Sequence, residues 1–333
     1  NDDAGASDGF LNDNTGIGKD ALRNNTSGNG NTANGFQSLY SNLTGNGNTA
    51  NGVVALYSNT TGHSNTAIGR RTLFKNTTGI RNTAIGASAL DWNTTGYSNT
   101  AIGNLALSNN TTGYRNTAVG LDALYTNTSD TANTAIGYQA LYSNDGGNNN
   151  TANGYQALYS NTTGNRNTAS GFRALYSNTY GNGNTAFGYQ AIYSSTTGHQ
   201  NVVIGNFASY YNQTGSQNTI IGNQAGYGAS GSSSSGNVFI GFSAGYNELG
   251  DNKLYIENSR SSEPLIYGDF DMDAVTINGD LHVIGNFTLE GGETILISIN
   301  DLTDAKYDGS SLFLGNGAGA NDDGSDNYNN AVG

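Results

Sequence analysis

The sequence predicts an all-β fold, a β-solenoid (β-roll) of 17-residue coils, and three observations lead to that prediction. The motif Asn-Thr-Ala-x-Gly, or a close variant, begins at residue 14 and recurs every 17 residues up to residue 218. A fourteenth copy begins at residue 237, after an insertion of two residues. Gly, Asn and Thr dominate the repeat and disfavour helix, whereas short groups of Ala, Ile, Leu and Tyr between glycines are typical of short strands.

Changes of composition divide the chain into four segments. An acidic segment covers 1–13, the fourteen repeats cover 14–252, a small β module covers 253–310, and a further repeat array starts within 311–333. A repeat of this length cannot bury a face alone, so consecutive coils must stack on one another. With a rise of about 4.8 Å per coil, the array forms a rod roughly 65 Å long. The module at 253–310 is expected to cap the open edge of the last coil.

The two ends of the chain resemble each other. SLFLGNGAG near the C-terminus resembles NVFIGFSAG at 237–245, and NDDGSDNYNNAVG at 321–333 resembles the first eighteen residues. Two explanations are open. The chain is one period of a longer tandem protein, or subunits join head to tail into a filament.

Position 1 of the repeat is Asn in every copy, and stacking would bring these side chains into register. We expect them to form a hydrogen-bonded ladder of amides rather than a recognition surface. The predicted ladder consists of Asn31, Asn48, Asn65, Asn82, Asn99, Asn116, Asn133, Asn150, Asn167 and Asn184.

Apolar residues occupy positions 3 and 4 and again positions 8, 9 and 10. Because neighbouring residues of a strand point to opposite faces, both faces of each strand are predicted to be apolar. The outer face then needs a cover, and a second copy of the chain is the simplest one. The sequence therefore predicts a homo-oligomer, and the candidate interface residues are Ile68, Ile85, Ile102, Ile136, Leu73, Leu90 and Leu141. The competing interpretation is that Leu and Tyr fold back onto their own coil.

The NTAIG and NVFIG units resemble the head repeats of trimeric autotransporter adhesins. The 17-residue form is similar to repeats of large surface proteins and tail-fibre-like proteins of bacteria and phages. Residues 237–285, NVFIGFSAGYNELGDNKLYIENSRSSEPLIYGDFDMDAVTINGDLHVIG, resemble modules that follow such repeats. The resemblance implies a trimeric, left-handed β-roll. The repeat length differs from that of the adhesin heads, and a coiled-coil stalk and a membrane anchor are not seen in this sequence.

The sequence offers little for catalysis, so we expect a protein that is not an enzyme and needs no cofactor. Cysteine is absent, and His63, His199 and His282 have no recognisable partners at catalytic spacing. Ca²⁺ is the one candidate ion, because hard cations prefer carboxylate and carbonyl oxygens. Its candidate ligands are the terminal aspartates Asp2, Asp3, Asp322, Asp323 and Asp326, although such segments are more often solvated turns.

Charge narrows the range of partners. The net charge is −13, with fourteen acidic and three basic residues from 253 onwards, which disfavours nucleic acid and anionic membranes. No apolar run is long enough to span a bilayer. Trp92 is a candidate surface aromatic for carbohydrate, and a host or cell-surface receptor is the other candidate partner.

These observations predict a structural fibre or adhesin-type protein, located outside the cell, at the cell surface or on a virion. A phage or injection-system tail-fibre component is the first alternative. The second is an ice-binding solenoid, because Thr occupies position 2 in twelve of the fourteen copies.

Overall fold

The computed structural model describes residues 13–284 and three short strands beyond them. The chain divides into two units, Asn1–Asp280 and Leu281–Gly333. The described part of the first unit is a stack of fourteen coils followed by three further strands, so the predicted all-β solenoid of 17-residue coils is confirmed. Among the described residues there is no helix that could cross a membrane.

Each coil contributes one three-residue strand, at positions 2 to 4 of the repeat. Neighbouring strands are parallel, and each residue pairs with the residue 17 positions further on, as Thr83 does with Thr100. Between β13 and β14 the offset is 19, so the inserted residues bulge out without changing the register. The strands are β1 (Thr15–Ile17), β2 (Thr32–Asn34), β3 (Thr49–Asn51), β4 (Thr66–Ile68), β5 (Thr83–Ile85), β6 (Thr100–Ile102), β7 (Thr117–Val119), β8 (Thr134–Ile136), β9 (Thr151–Asn153), β10 (Thr168–Ser170), β11 (Thr185–Phe187), β12 (Val202–Ile204), β13 (Thr219–Ile221) and β14 (Val238–Ile240).

The rest of each coil consists of turns, which corrects the prediction that positions 8, 9 and 10 form a strand. Positions 7 and 9 both have a left-handed backbone, as at Leu105 (φ 57°) and Leu107 (φ 52°). These two left-handed residues abolish the strand alternation, so Ala106 and Leu107 both lie in the core with no exposed surface. The prediction of two apolar faces in this segment is therefore wrong.

Leucine in a left-handed conformation is strained by about 1–2 kcal/mol. Two gains offset that strain. Full burial of a leucine side chain contributes about 1.5–3 kcal/mol. The turn also lets backbone groups reach both neighbouring coils, since Leu105 N–H donates to Ala87 O (3.0 Å) and Leu107 N–H to Ala123 O (2.9 Å).

The core of a coil is small. It contains the alanines at positions 3 and 8 and the leucine at position 9, for example Ala101, Ala106 and Leu107, all without exposed surface. At position 3, larger apolar side chains enter the core towards the C-terminal end of the array, where Val203, Ile220 and Phe239 replace alanine. Hydrophobic burial per coil is thus modest, and hydrogen bonding between coils carries more of the fold.

Glycine at position 5 is required for two reasons, its backbone conformation and the close approach of the next coil. At Gly137 the backbone has φ 133°, a conformation that L-residues rarely adopt. A Cβ built there would also lie 2.5 Å from the carbonyl oxygen of Gly154 in the next coil. The recurring glycine of the sequence therefore permits both the bend after each strand and the close approach of coils.

Three strands follow the fourteenth coil. β15 (Lys253–Ile256) pairs parallel with β14, and β16 (Ile266–Asp269) and β17 (Ala274–Ile277) then add antiparallel neighbours. Lys253 and Asp269 form an ion pair between β15 and β16, with Nζ and Oδ2 2.6 Å apart. A capping role for the 253–310 module stays a prediction.

The second unit contains a sheet of three strands, β18 (Lys306–Tyr307), β19 (Leu312–Leu314) and β20 (Ala331–Val332). β18 and β19 are antiparallel, whereas β19 and β20 are parallel, with Phe313 opposite Ala331. A parallel pair in this place is compatible with the further array predicted within 311–333.

Replacing Gly137 by Ala tests the role of position 5. The added methyl group meets the carbonyl of Gly154 and the backbone is held at φ 133°, so we expect a loss of more than about 3 kcal/mol in unfolding free energy. The control is Gly47→Ser, because Gly47 has no neighbour within 4 Å of a built Cβ and serine occupies the same position at Ser64 and Ser98. Thermal unfolding followed by circular dichroism measures both, and equal effects would contradict the account.

Candidate functional site

One face of the rod presents the outward residues of the strands and of the bend that follows each strand. Within each strand, position 3 points into the core and positions 2 and 4 point outward, as the buried Ala101 and the exposed Ile102 illustrate. Position 6, just after the bend, is also exposed in most coils. We call positions 2, 4 and 6 of the fourteen coils the outward sheet face.

The isoleucine candidates of the predicted interface lie on this face. Ile68, Ile85, Ile102 and Ile136 occupy position 4 and retain between 36% and 42% of their accessible surface. They form a single row, because the strands pair in register. Single exposed apolar side chains are common on protein surfaces, whereas a contiguous row of them is typical of a contact surface.

The leucine candidates do not lie on this face. Leu73, Leu90 and Leu141 occupy position 9 and have no exposed surface, so their assignment to an interface between chains is wrong. The left-handed backbone at positions 7 and 9 turns these side chains into their own coil. For leucine, the competing interpretation of folding back is the correct one.

Polar interruptions of the position 4 row are compensated in the position 6 row. Where position 4 is polar, as at Asn34, Asn51, Asn153 and Ser170, position 6 carries a large apolar residue: Phe36, Val53, Tyr155 and Phe172. Where position 6 is small or polar, position 4 is isoleucine: Ile68, Ile85, Ile102, Ile204 and Ile221. Every coil thus presents a large apolar side chain at position 4 or 6, and at least one of them is exposed in every coil except the tenth, where Phe172 is half-buried.

Aromatic residues form two stacked columns, and the one at position 6 is part of this face. At position 10, tyrosines follow one another coil after coil from Tyr125 to Tyr246, with ring centroids 4.9–5.3 Å apart. At position 6, a shorter column runs from Tyr138 to Tyr189. Burial raises the pKa of Tyr142, one member of the longer column, which favours its neutral form.

The asparagines at position 1 form a buried ladder. In Asn82 the backbone N–H donates to Oδ1 of Asn65 (3.0 Å), and its Nδ2 donates to Gly96 O across the coil (2.8 Å). Its own Oδ1 then accepts from Asn99 N–H (3.0 Å). The same pattern links the other predicted ladder residues, which are fully buried or nearly so. These amides hold coils together and are inaccessible to a ligand.

A second asparagine ladder, at position 12, was not identified from the sequence. Asn93 Nδ2 donates to Asn76 Oδ1 of the preceding coil (2.7 Å) and to Gly96 O (3.0 Å). The sequence feature that could have indicated this ladder is the recurring Asn-Thr-Thr-Gly segment. The same segment is also typical of a surface turn or a glycosylation sequon. Because Asn59, Asn76 and Asn161 are fully buried in this ladder, their sequons are inaccessible in the folded chain.

Both ladders converge on the carbonyl group of position 15. Gly147 O accepts from Asn133 Nδ2 (2.8 Å) and from Asn144 Nδ2 (2.8 Å). A Cβ built on Gly147 would lie 2.5 Å from Gly164 O of the next coil. The second recurring glycine therefore exists for close packing, whereas the position 5 glycine is needed for conformation as well.

Asp130 is an exception at position 15. Its residue is only 6% exposed, and its Oδ2 accepts from Gly146 N–H (2.7 Å) without an ion pair among those found in the described residues. Burial raises the pKa of Asp130, the bond from Gly146 lowers it, and nearby Asp145 raises it further, with a net upward direction. The charged form of Asp130 is therefore disfavoured in the fold.

The predicted calcium ligands lie outside the described residues. That applies to Asp2, Asp3, Asp322, Asp323 and Asp326 alike. Within the described part of the chain, no group of three or more His, Asp or Glu side chains is placed to hold a metal ion. Calcium binding stays a prediction.

Comparisons with protein-family models, curated proteins and solved structures found no match to this chain.

Replacing Asp130 by Asn removes the buried charge and keeps an oxygen acceptor for Gly146. A raised pKa in the folded state means that the wild type loses stability as pH rises from acid through that pKa. We expect the variant to unfold at higher temperature than the wild type at pH 7, the difference to shrink as pH falls through the raised pKa of folded Asp130, and none of this charge effect to remain below about pH 4. Thermal unfolding at both pH values measures this, and a difference independent of pH would contradict it.

Proposed function

We propose that the chain is a structural rod that associates with copies of itself through the outward sheet face, as part of an extracellular fibre or adhesin-type protein. One observation carries the proposal. Every one of the fourteen coils places a large apolar side chain at position 4 or 6, so the apolar strip is as long as the array.

The size of the strip supports a macromolecular partner. A strip about 65 Å long and about 10 Å wide covers on the order of 650 Å², at or above the largest apolar patch of a typical monomer. It is comparable to the roughly 800 Å² that each partner buries in a standard interface. Lys19 and Arg70 are the only charged residues at positions 2, 4 and 6, so few charges would be desolvated by contact.

The pattern of the two rows favours a second copy aligned in register. In a parallel arrangement, coil faces equivalent coil, so the polar pair Asn34 and Asn51 meets the same pair of its neighbour. A shift by two coils would place Asn51 against Ile85 and leave amides beside apolar groups. Polar layers of this kind set register between chains at some cost in stability.

The resemblance of the repeats to trimeric autotransporter adhesin heads favours three chains and a location outside the cell. A phage or injection-system tail fibre would use the same rod, and the resemblance to tail-fibre-like repeats keeps that alternative open. Receptor binding and attachment would then depend on residues that interrupt the repeat, since the ladders and glycines serve the stack.

An ice-binding solenoid is the second candidate, and one observation favours it. Threonine at position 2 points outward from the parallel sheet, in register over consecutive coils from Thr15 to Thr185. The adjoining isoleucine and aromatic rows fit protein contact better than an ordered water layer. Thermal hysteresis of the purified chain would favour this candidate over the first.

Solution mass tests the proposal. Light scattering of the full chain should give a discrete oligomer, with a trimer expected. The double variant Ile102→Asp, Ile136→Asp should give a monomer with an unchanged circular dichroism spectrum, because charges cannot be buried in an apolar interface without large cost.

The matched control is Thr95→Asp, Thr112→Asp, which adds the same charge at position 14, an exposed position outside the outward sheet face. This control should keep the mass of the wild type. A monomeric wild type, or an oligomer that survives the isoleucine substitutions, would overturn the proposal.

A further inference from the structure

Basic residues of the array are concentrated in three coils. Residues 65–115, coils 4 to 6, contain five Lys or Arg and one Asp, a net charge of +4. The rest of the array, 14–64 and 116–252, contains four Lys or Arg and six Asp or Glu, a net charge of −2. A cationic band therefore interrupts an otherwise slightly acidic rod.

The same coils break the aromatic column at position 10. The rings run from Tyr40 through Tyr57 to Phe74, and the column resumes at Tyr125. Between them Asp91 and Ser108 occupy position 10. Position 11, which is serine at Ser41 and Ser58, becomes Lys75 and Trp92 in coils 4 and 5. The changes at positions 10 and 11 therefore occur in the same coils as the excess of basic residues.

The substituted residues contact one another. Lys75 Nζ lies 5.2 Å from the ring centre of Phe74 and 5.7 Å from that of Trp92. The guanidinium group of Arg71 lies 4.6 Å from the Phe74 ring. Trp92 retains 51% of its accessible surface. We call Arg71, Phe74, Lys75, Asp91 and Trp92 the cation–aromatic patch.

The one acidic residue of the band is already paired. Asp91 is largely buried, and its carboxylate contacts Arg71 through three N–O distances of 2.9–3.2 Å. Among the described residues, no ion pair involves Lys75 or the neighbouring Arg70. The patch therefore offers uncompensated positive charge next to an exposed indole ring.

We propose that the cation–aromatic patch binds an anionic polysaccharide, one that carries carboxylate or sulfate groups. An ammonium group forms strong charge-assisted hydrogen bonds with such groups. The indole ring supplies a large, rigid apolar surface for the C–H face of a sugar ring. This inference rests on the proposed adhesin-type function and names the class of ligand it would take.

Charge favours a polysaccharide over a nucleic acid. The net charge of −13 repels any polyanion, so binding must come from a short local contact, whereas nucleic-acid binding depends on many phosphate contacts. A linear glycan with a charge on each sugar needs only a short local contact. The patch, with the ammonium group of Lys75 between Phe74 and the exposed Trp92, has the size for such a contact.

Calorimetric titration of the full chain with defined oligosaccharides tests the inference. The probes are a galacturonic-acid decamer, a sulfated oligosaccharide of the same length and an uncharged glucan decamer. We expect one or both charged oligosaccharides to bind and affinity to fall with salt, whereas the uncharged glucan does not bind. Failure of both charged probes to bind, or equally strong binding of a single-stranded DNA decamer, would overturn the inference.

The test variant is Lys75→Ser, Trp92→Ser, which restores the serine found at position 11 in other coils. It should weaken binding by about tenfold or more, as expected when a cation and an aromatic anchor are removed. The control is Arg81→Ser, Arg115→Ser, which removes two cations of the same band at position 17, where Ser64 and Ser98 occur naturally.

The control should bind within about twofold of the wild type, because position 17 lies on another row of the coil. Equal weakening in both variants would overturn the assignment to the patch. Solution mass is measured on the same samples. If the wild type is an oligomer but binds no charged glycan, only this inference is overturned. If the wild type is a monomer, the proposed self-association is overturned, and the glycan titration still tests the patch independently.

Discussion

The fold depends on hydrogen bonding from each coil to the next, because a coil has too little apolar core to be stable alone. Its interior holds two alanines and a leucine, and most of the other buried side chains are asparagine amides. The asparagines of positions 1 and 12 pair with the neighbouring coils and with the position 15 carbonyl, so each coil supplies the polar partners of the next. Buried polar groups without partners would cost about 1–3 kcal/mol each, which explains the strict period.

This constraint separates the positions that build the rod from those that can vary. Positions 1, 5, 12 and 15 are held by the ladders and by close approach of backbones, whereas positions 4, 6 and 11 face outward. The outward sheet face and the cation–aromatic patch are therefore where the chain can encode partners without disturbing the stack. Variation such as Ile68 against Asn51, or Trp92 against Ser58, changes the surface and leaves the coil register intact.

The 17-residue period, the all-β class and the need for glycine at position 5 could be predicted from the sequence, because each feature recurs in every repeat. The direction of Leu73 could not, since alternation within a strand was assumed where left-handed residues at positions 7 and 9 form a turn. The ladder of Asn93 was also missed, because an Asn-Thr-Thr-Gly segment looks like a solvated turn until neighbouring coils bury it. The exposure of the isoleucine row that contains Ile102 could be predicted from the alternation of residues within each strand. The compensation between positions 4 and 6 could not, because only the structure shows that both positions lie on one face.

Substitution of one ladder residue in the middle of the array measures the central interaction most directly. Asn82→Ala removes the acceptor of the buried Asn99 N–H and the donor to Gly96 O, so the free energy of unfolding should fall by about 2–4 kcal/mol. Asn104→Ala, at an exposed asparagine whose amide makes one 3.3 Å hydrogen bond, should change it by less than about 0.5 kcal/mol. Denaturant unfolding of both variants decides the matter. Equal stability of the two would mean that the amide ladder does not hold the coils together.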